Sequence, residues 1–406
     1  MNIFLDLMLV ITIIIVMLRF KFPIGACMIV GGLFIWLTRS AEVAKLGIAF
    51  VETFLLTRTY DIIFALYFVM CLEIELRVSG ILTDMVHSLR RTFSGVKTLL
   101  AIMPAFLGLL PSVGGARFSA PIVEELSADL NLTAEDKSAI NFWFRHIFEF
   151  SNPIIPGMIM ACSIAGVDFG EFLKSLSWVT IVAFSVGLFV LIRPIKNPPE
   201  PEDSADKNSH EKQSLFLAFG SMATIFLIIV LFNLNASTAT FIVIAAMFVI
   251  LRLVKRPVGF KETFVGAIDL KMTLNICGIL YFIQLLEVTD ILSEIVSAFH
   301  ALPLPIPVVI ACISFIVGVL TGLSQGHVAI IMPIVAAMGA GAGHLDLACV
   351  AMVFGAAGQM LTPTHVCLII SVDYFKANLL KTIEKLLICE ILVTTIFSVI
   401  AYLTWK

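Results

Sequence analysis

Charge is scarce in this chain. Only 14% of its 406 residues are Asp, Glu, Lys or Arg, and 60% are hydrophobic. A water-soluble protein of this length carries about a quarter charged residues. A single soluble core is excluded, and the apolar surplus assigns the chain to a lipid bilayer. A basic excess is missing as well: 26 Lys and Arg stand against 29 Asp and Glu, a net charge of −3, which argues against nucleic acid as a partner. No CxxC pair occurs among the 8 cysteines, most of which lie in apolar runs. They read as small buried hydrophobes, so neither a disulfide framework, a metal site nor a cofactor is expected. Nucleophile–base and hydrolase, kinase or metal spacings are also missing, and the chain is not expected to be an enzyme. No basic stretch precedes the first apolar run and no small-residue cleavage site follows it, so Asn2–Leu18 reads as a retained membrane segment.

What is present is a series of apolar runs long enough to cross, or nearly cross, a hydrocarbon core of about 30 Å. They fall at 2–18, 22–38, 60–77, 139–165 and 175–193, and again at 215–232, 238–254, 272–288, 347–372 and 384–404. Two further apolar stretches, 94–135 and 303–343, are interrupted near the middle by Pro111-Ser112-Val113-Gly114-Gly115 and Thr321-Gly322-Leu323-Ser324-Gln325-Gly326. Each fits either two connected crossings or a re-entrant hairpin. The stretch 194–213 is Pro-rich and charged and reads as a linker. Segments Ser79–Arg91 and Thr289–His300 carry apolar residues at spacings of 3 and 4 and predict amphipathic helices in the membrane plane.

The linker divides the chain nearly in half, and one ungapped offset aligns the halves. Glu52-Thr53-Phe54 recurs as Glu262-Thr263-Phe264, an offset of 210 residues, and the same offset pairs Val78 with Val288, Ile81-Leu82 with Ile291-Leu292, Gly108 with Gly318 and Pro153 with Pro363. The expected fold is an all-α membrane protein of two repeats, 1–193 and 214–406, each with five crossings and one hairpin. Five is odd, so the second repeat inserts upside down. With the N-terminus outside, nineteen of the 26 basic residues fall on the inner side and five outside, with Arg117 and Arg145 within the membrane. The positive-inside rule then places both termini outside and the linker in the cytoplasm, in the cell inner (plasma) membrane.

Both fourth crossings contain a proline, in Ser151-Asn152-Pro153 and Leu361-Thr362-Pro363. Proline breaks a helix there, and Asn152 and Thr362 are suited to cap a new helix starting at the proline. Hairpin tips at Ser112, Gly114 and Gly115 and at Ser324, Gln325 and Gly326 add two more helix starts. Four helix N-termini inside a membrane suit an anion, although kinks in packed helices give the same pattern. Arg117 follows the Gly-Gly tip, and a guanidinium matches a carboxylate; Ser119 and Thr364 join Asn152 and Thr362 as further candidate substrate contacts. Arg145, His146 and Glu149 precede the first break, while His327, Gln359 and His365 lie near the second tip and break. These six are candidates for ion coupling. Arg145 and Glu149, four apart, fit a structural ion pair equally well.

The stretches Leu110-Pro111-Ser112-Val113-Gly114-Gly115-Ala116-Arg117-Phe118-Ser119-Ala120-Pro121, Asn141-Phe142-Trp143-Phe144-Arg145-His146 and Thr362-Pro363-Thr364-His365-Val366-Cys367-Leu368 resemble the ion transporter superfamily. That superfamily includes dicarboxylate, citrate, gluconate and arsenite carriers and sodium/proton antiporters. Within it the resemblance is closest to an uncharacterised family of bacterial and archaeal integral membrane proteins. The resemblance implies inverted repeats, hairpins from opposite faces, a homodimer and elevator-like movement of a substrate domain. Dicarboxylate members carry Ser-Asn-Thr at the hairpin tips; here only Ser112 and Ser324 carry over. The expected function is secondary transport of a small anion, an organic carboxylate, coupled to H+ or Na+. A monovalent cation/proton antiporter using Glu149, and a passive channel, are the alternatives.

Overall fold

A computed structural model describes residues 3–92, 95–109, 116–196, 209–339 and 344–405. Every regular element among these residues is helical. The first half contains α1 (Ile3–Arg19), α2 (Ile24–Arg39), α3 (Val43–Leu55), α4 (Thr57–Val78), α5 (Ile81–Thr92), α6 (Val96–Gly108), α7 (Ala116–Leu126), α8 (Ala134–His146), α9 (Pro156–Ala165) and α10 (Phe169–Gly187). The second half contains α11 (Ser209–Phe232), α12 (Ala236–Leu253), α13 (Leu270–Val288), α14 (Ile291–His300), α15 (Ile306–Thr321), α16 (Ser324–Ala337), α17 (His344–Met360), α18 (Val366–Phe375) and α19 (Leu379–Thr404).

Among the described residues, five helices are long and apolar enough to cross a membrane: Phe169–Ile192, Gln213–Phe232, Ala236–Leu253, Leu270–Val288 and Leu379–Thr404. They coincide with five of the ten runs read from the sequence. The protein is an all-α membrane protein. The other five runs fall short for separate reasons. Helices α1 and α2 have 17 and 16 residues, below the ~20 that span hydrocarbon. Helix α4 has 22 but includes Arg58, Asp61, Glu73, Glu75 and Arg77. The runs 139–165 and 347–372 are each divided into two helices.

The interrupted stretches are short-armed. Helices α6 and α7 have 13 and 11 residues, and α15 and α16 have 16 and 14. At 1.5 Å per residue, these arms reach from roughly 16 to 24 Å, less than a crossing. The amphipathic segments are helices as expected. They bury Ile81, Met85 and Leu89 of α5, and Ile291, Leu292, Ile295 and Phe299 of α14. Helix α3 is an addition the hydropathy pattern did not single out.

Packing divides the helices into two groups. Helices α1 to α4 pack with α12 and α13, chiefly α2 on α13 and α4 on α12, while α11 packs on α5, α12 and α10. The short-armed pairs pack with the divided helices: α6 on α8, α15 on α17, α16 on α9 and α7 on α18, with α10 and α19 alongside. Five pairs of helix starts recur at the offset seen in the sequence, 81 and 291, 96 and 306, 134 and 344, 156 and 366, and 169 and 379, while α7 and α16 start at 116 and 324.

The entry to α8 is fixed at the surface. Thr133 and Asp136 form a reciprocal capping box, and Lys385 Nζ of α19 donates to Asp136 Oδ1 at 2.7 Å. Burial pushes the Asp136 carboxyl up, but the hydrogen bonds from Lys385 and Thr133 outweigh it and hold it below the usual carboxylate range.

Close backbone approach sets the α6–α8 and α15–α17 crossings. A Cβ on Gly108 would collide with the Arg145 carbonyl oxygen, and one on Gly318 with the Gly355 carbonyl oxygen; the colliding residues are again 210 apart. Small residues allow such approach inside membranes. Gly108→Ala and Gly318→Ala are each expected to destabilise the protein by about 1–3 kcal/mol. Gly47→Ala, at a position in α3 where a Cβ meets nothing within 4 Å, should be neutral or stabilising by up to about 1 kcal/mol. Thermal unfolding of the three variants in detergent checks this.

Candidate functional site

Helix α8 stays buried along its length from Ser138 to His146. It tightens into a 3-10 turn over Ile147–Phe150 and then leaves helical geometry until α9 begins. The break is where the sequence put it, but the restart is not. Helix α9 starts at Pro156 behind Ile155, and α18 starts at Val366 behind His365. Asn152 and Thr362 therefore cap neither helix. Each of Pro153 and Pro363 lies inside a turn, and in the first half it is Pro156 that has the fixed φ and missing N–H suited to a helix start.

Asn152 instead joins two pieces of chain. Its Nδ2 donates to Leu109 O at 2.8 Å, and its Oδ1 accepts from Ile154 N at 3.1 Å. Arg145 Nη1 donates to Leu107 O at 3.0 Å. Both residues thus satisfy carbonyls at the end of α6, which have no partner within that helix. The spacing that suggested an Arg145–Glu149 pair runs into the 3-10 turn, and the Glu149 carboxylate accepts from Gln359 Nε2 at 3.2 Å. On the other break, Thr362 and Thr364 hydroxyls lie 2.9 Å apart.

The two breaks meet. His146 Nδ1 lies 2.7 Å from Phe142 O, His365 Nδ1 lies 3.2 Å from Gln359 O, and the two Nε2 atoms are 3.2 Å apart. A run of polar residues therefore links His146, His365, Gln359 and Glu149, through the main-chain carbonyl of Gln359 on one side and its side-chain amide on the other. The tip before α16 reaches the same region. A Cβ on Gly157, in the first turn of α9, would collide with Ser324, and one on Gly322 with Thr364. Gly322 has φ +65, a conformation glycine adopts without strain. Gln325 is half-buried and Gly326 is buried. His327 is fully buried and packs over Gly355, where any side chain would strike the imidazole; neither of its ring nitrogens has a hydrogen-bond partner among the described residues.

Helices α8, α10, α12, α13 and α19 are closed by side-chain caps from Thr133, Asp168, Asn235, Asp269 and Asn378, whereas α2, α3, α4, α6, α14 and α15 start without one. The inner starts of α9, α16 and α18 have no side-chain cap. Their free N–H groups and positive dipole ends suit an anion. Of the remaining candidates, Ser119 is buried on α7 and its Oγ donates to Ala116 O at 3.4 Å. Arg117 is the second residue of α7, and its side chain lies outside the described residues, as do Ser112, Gly114 and Gly115 altogether.

Sequence reasoning passed over several buried polar groups. Asn141 Nδ2 donates to Ser371 Oγ at 2.9 Å, tying α8 to α18. Cys367, dismissed as a small hydrophobe, has its sulfur within 4.8 Å of ligand nitrogens of both His146 and His365. Glu75 and Glu390 are buried carboxylates with no hydrogen-bond partner among the described residues. Glu390 lines a cavity of about 200 Å³ with Cys312, Phe315, Phe354 and Leu361. An acid inside an apolar run was the available signal for both.

Over residues 4–405 the chain matches the family described as protein of unknown function (DUF401). The chain belongs to that family. No curated protein matches it. The family match spans both halves of this DUF401 member, so the two breaks and the tip that meets them all fall within it.

Asn152→Ala removes the bond to Leu109 O that ties the first break to the end of α6 and the bond from Ile154 N within the break, and is expected to cost about 1–3 kcal/mol. Thr362→Ala, which loses contacts only within its own turn, should cost less. Melting temperatures of the two purified variants test the order.

Proposed function

We propose that this chain is a secondary active transporter of a small anion, an organic carboxylate, working by elevator-type alternating access coupled to H+ or Na+. The observation that carries the reading is the meeting of two mid-chain helix breaks with a short-armed tip, where three inner helix N-termini lack side-chain caps. A lipid-exposed stretch could not leave those N–H groups unsatisfied; a watery, anion-binding cavity can.

Two inverted-topology repeats of five crossings and one re-entrant hairpin account for the shared offset of 210. They also account for a pair of residues 210 apart, Glu149 and Gln359, touching each other, since residues near a two-fold axis meet their own counterparts. Arms too short to cross favour hairpins over extra crossings. Helices α1 to α4 with α11 to α13 serve as scaffold, and the hairpins with the divided helices carry the substrate. The resemblance to the ion transporter superfamily and a homodimeric assembly fit the same scheme, with both termini outside, the 194–213 linker in the cytoplasm, and hairpins entering from opposite faces.

In this scheme the inner N-termini, Ser324, Gln325, Asn152, Thr362, Thr364 and the loop at Ser112, Gly114 and Gly115 surround the anion. Ser119 supports α7, and Arg117 supplies the fork for the carboxylate. Glu149 carries the coupling proton; its hydrogen-bond partner is the neutral amide of Gln359.

Thermal-shift screening of purified protein against organic acids identifies a substrate, and uptake into proteoliposomes then tests the roles. Glu149→Gln is expected to abolish proton-driven accumulation while binding persists. Accumulation down a proton gradient by a stable Glu149→Gln protein would refute proton coupling at this residue. Arg117→Lys keeps the charge but loses the bidentate fork, and should reduce uptake by about tenfold or more; near-normal uptake would remove Arg117 from the site. Reporter fusions within 194–213 should read cytoplasmic, and an external location would overturn the orientation.

A further inference from the structure

The run of polar residues across the two breaks contains an arrangement that anion transport does not require. His146 Nδ1 and His365 Nδ1 each face a backbone carbonyl, at 2.7 and 3.2 Å. A carbonyl only accepts, so each Nδ1 carries a proton. A neutral imidazole has one N–H, and each Nε2 therefore presents a lone pair. Those lone pairs confront each other at 3.2 Å, on side chains only 5% and 8% exposed. In a dry interior, two acceptors this close repel unless an electrophile lies between them.

We infer that His146, His365 and Cys367 form a binding site for one Zn2+-like transition-metal ion per chain. Three features carry this beyond the pair of nitrogens. First, two nitrogens bound to zinc at about 2.0–2.1 Å in tetrahedral geometry are roughly 3.3 Å apart, and the separation here is 3.2 Å. Second, both rings are held by an Nδ1–H to a backbone carbonyl, the outer-shell bond that fixes tautomer and orientation in metal-binding histidines. Third, the Cys367 sulfur completes a group whose ligand atoms all lie within 4.8 Å of one another, so a small side-chain movement brings it into coordination.

Donor chemistry selects the ion. Two imidazoles and a thiolate suit borderline-soft zinc or cobalt, whereas Na+, Mg2+ and Ca2+ prefer oxygen. A coordinating thiolate is not an isolated buried charge here, because Arg145 interacts electrostatically with Cys367, and also with Glu149. Three protein ligands leave the fourth tetrahedral position open. The ion would join the end of α8 to the start of α18 and so tie one break to the other.

The test uses full-length protein in detergent, stripped with a chelator and titrated with Co2+, then Zn2+. The expected result is one Co2+ per chain, with tetrahedral d–d bands and a sulfur-to-cobalt charge-transfer band, all displaced by Zn2+. Cys367→Ser should lose the charge-transfer band. His146→Gln and His365→Gln should each weaken binding by at least about 100-fold, at or beyond the upper range found for loss of an outer-shell partner. No stoichiometric Co2+ binding by the unaltered protein overturns the proposal and decides the matter even if a variant fails to fold. Binding that lacks the sulfur band, or that persists in the double histidine variant, overturns it too. So does a response to pH alone that vanishes in the double variant, which would assign the pair to a shared proton. Because binding is read by spectroscopy, its failure leaves the transport reading untouched, and failure of transport leaves the metal site untouched.

Discussion

The backbone's need for hydrogen bonds in a medium without water governs this structure. A helix that stops inside a bilayer exposes carbonyls on one side of the break and N–H groups on the other, and each must find a partner within the protein or a cavity. At the first break this need consumes much of the local polar chemistry. Arg145 and Asn152 close the end of α6, and the His146 and His365 ring N–H groups go to the Phe142 and Gln359 carbonyls. Beside these groups lie the Glu149 carboxylate, which accepts from Gln359, two imidazole Nε2 atoms 3.2 Å apart, the Cys367 sulfur close to both histidines and the uncapped starts of α9, α16 and α18. Function at the site has to be built from these groups.

Close packing supplies the framework that holds them in place. The α6–α8 and α15–α17 crossings rest on glycines that admit a neighbouring carbonyl, and Gly355 makes room for the His327 ring. Around this tight centre, large apolar side chains such as Leu253, Leu55 and Tyr402 face outward, as befits contact with lipid. Charge is distributed unequally between positions 210 residues apart. Arg145 and Glu149 in the first half stand opposite Gly355 and Gln359 in the second, and Arg117 opposite His327. The Glu149 carboxylate and the Gln359 amide then meet at 3.2 Å, so an ionisable group faces a neutral one at this contact.

Composition and hydropathy fixed the solvent, because burial of apolar surface is additive and needs no knowledge of contacts. Prolines 153 and 363 located the interruptions of the runs 139–165 and 347–372 for a similarly local reason: a missing N–H acts on its own helix. The same locality explains the recovery of α5 and α14, whose spacing of apolar residues survives in any amphipathic helix. Helix restarts were misplaced by three residues or so, since Asn152 has two possible uses for its amide and the Leu109 carbonyl, brought near by packing, took it. The nearness of Cys367 to two histidines was not legible, because a cysteine in an apolar run looks the same whether or not two histidines face it.

By itself, then, the sequence determined an all-helical membrane protein with an internal offset of 210, two interrupted apolar runs and a set of polar residues at the interruptions. Tertiary structure decided which of those residues touch. His146 and His365 are separated by 219 residues and Glu149 and Gln359 by 210, and no periodicity or spacing specifies such pairs. They are set by the packing of α8, α9, α16, α17 and α18 against one another. That packing depends on the summed shapes of many side chains, whereas a turn or a helix break is decided within a few residues.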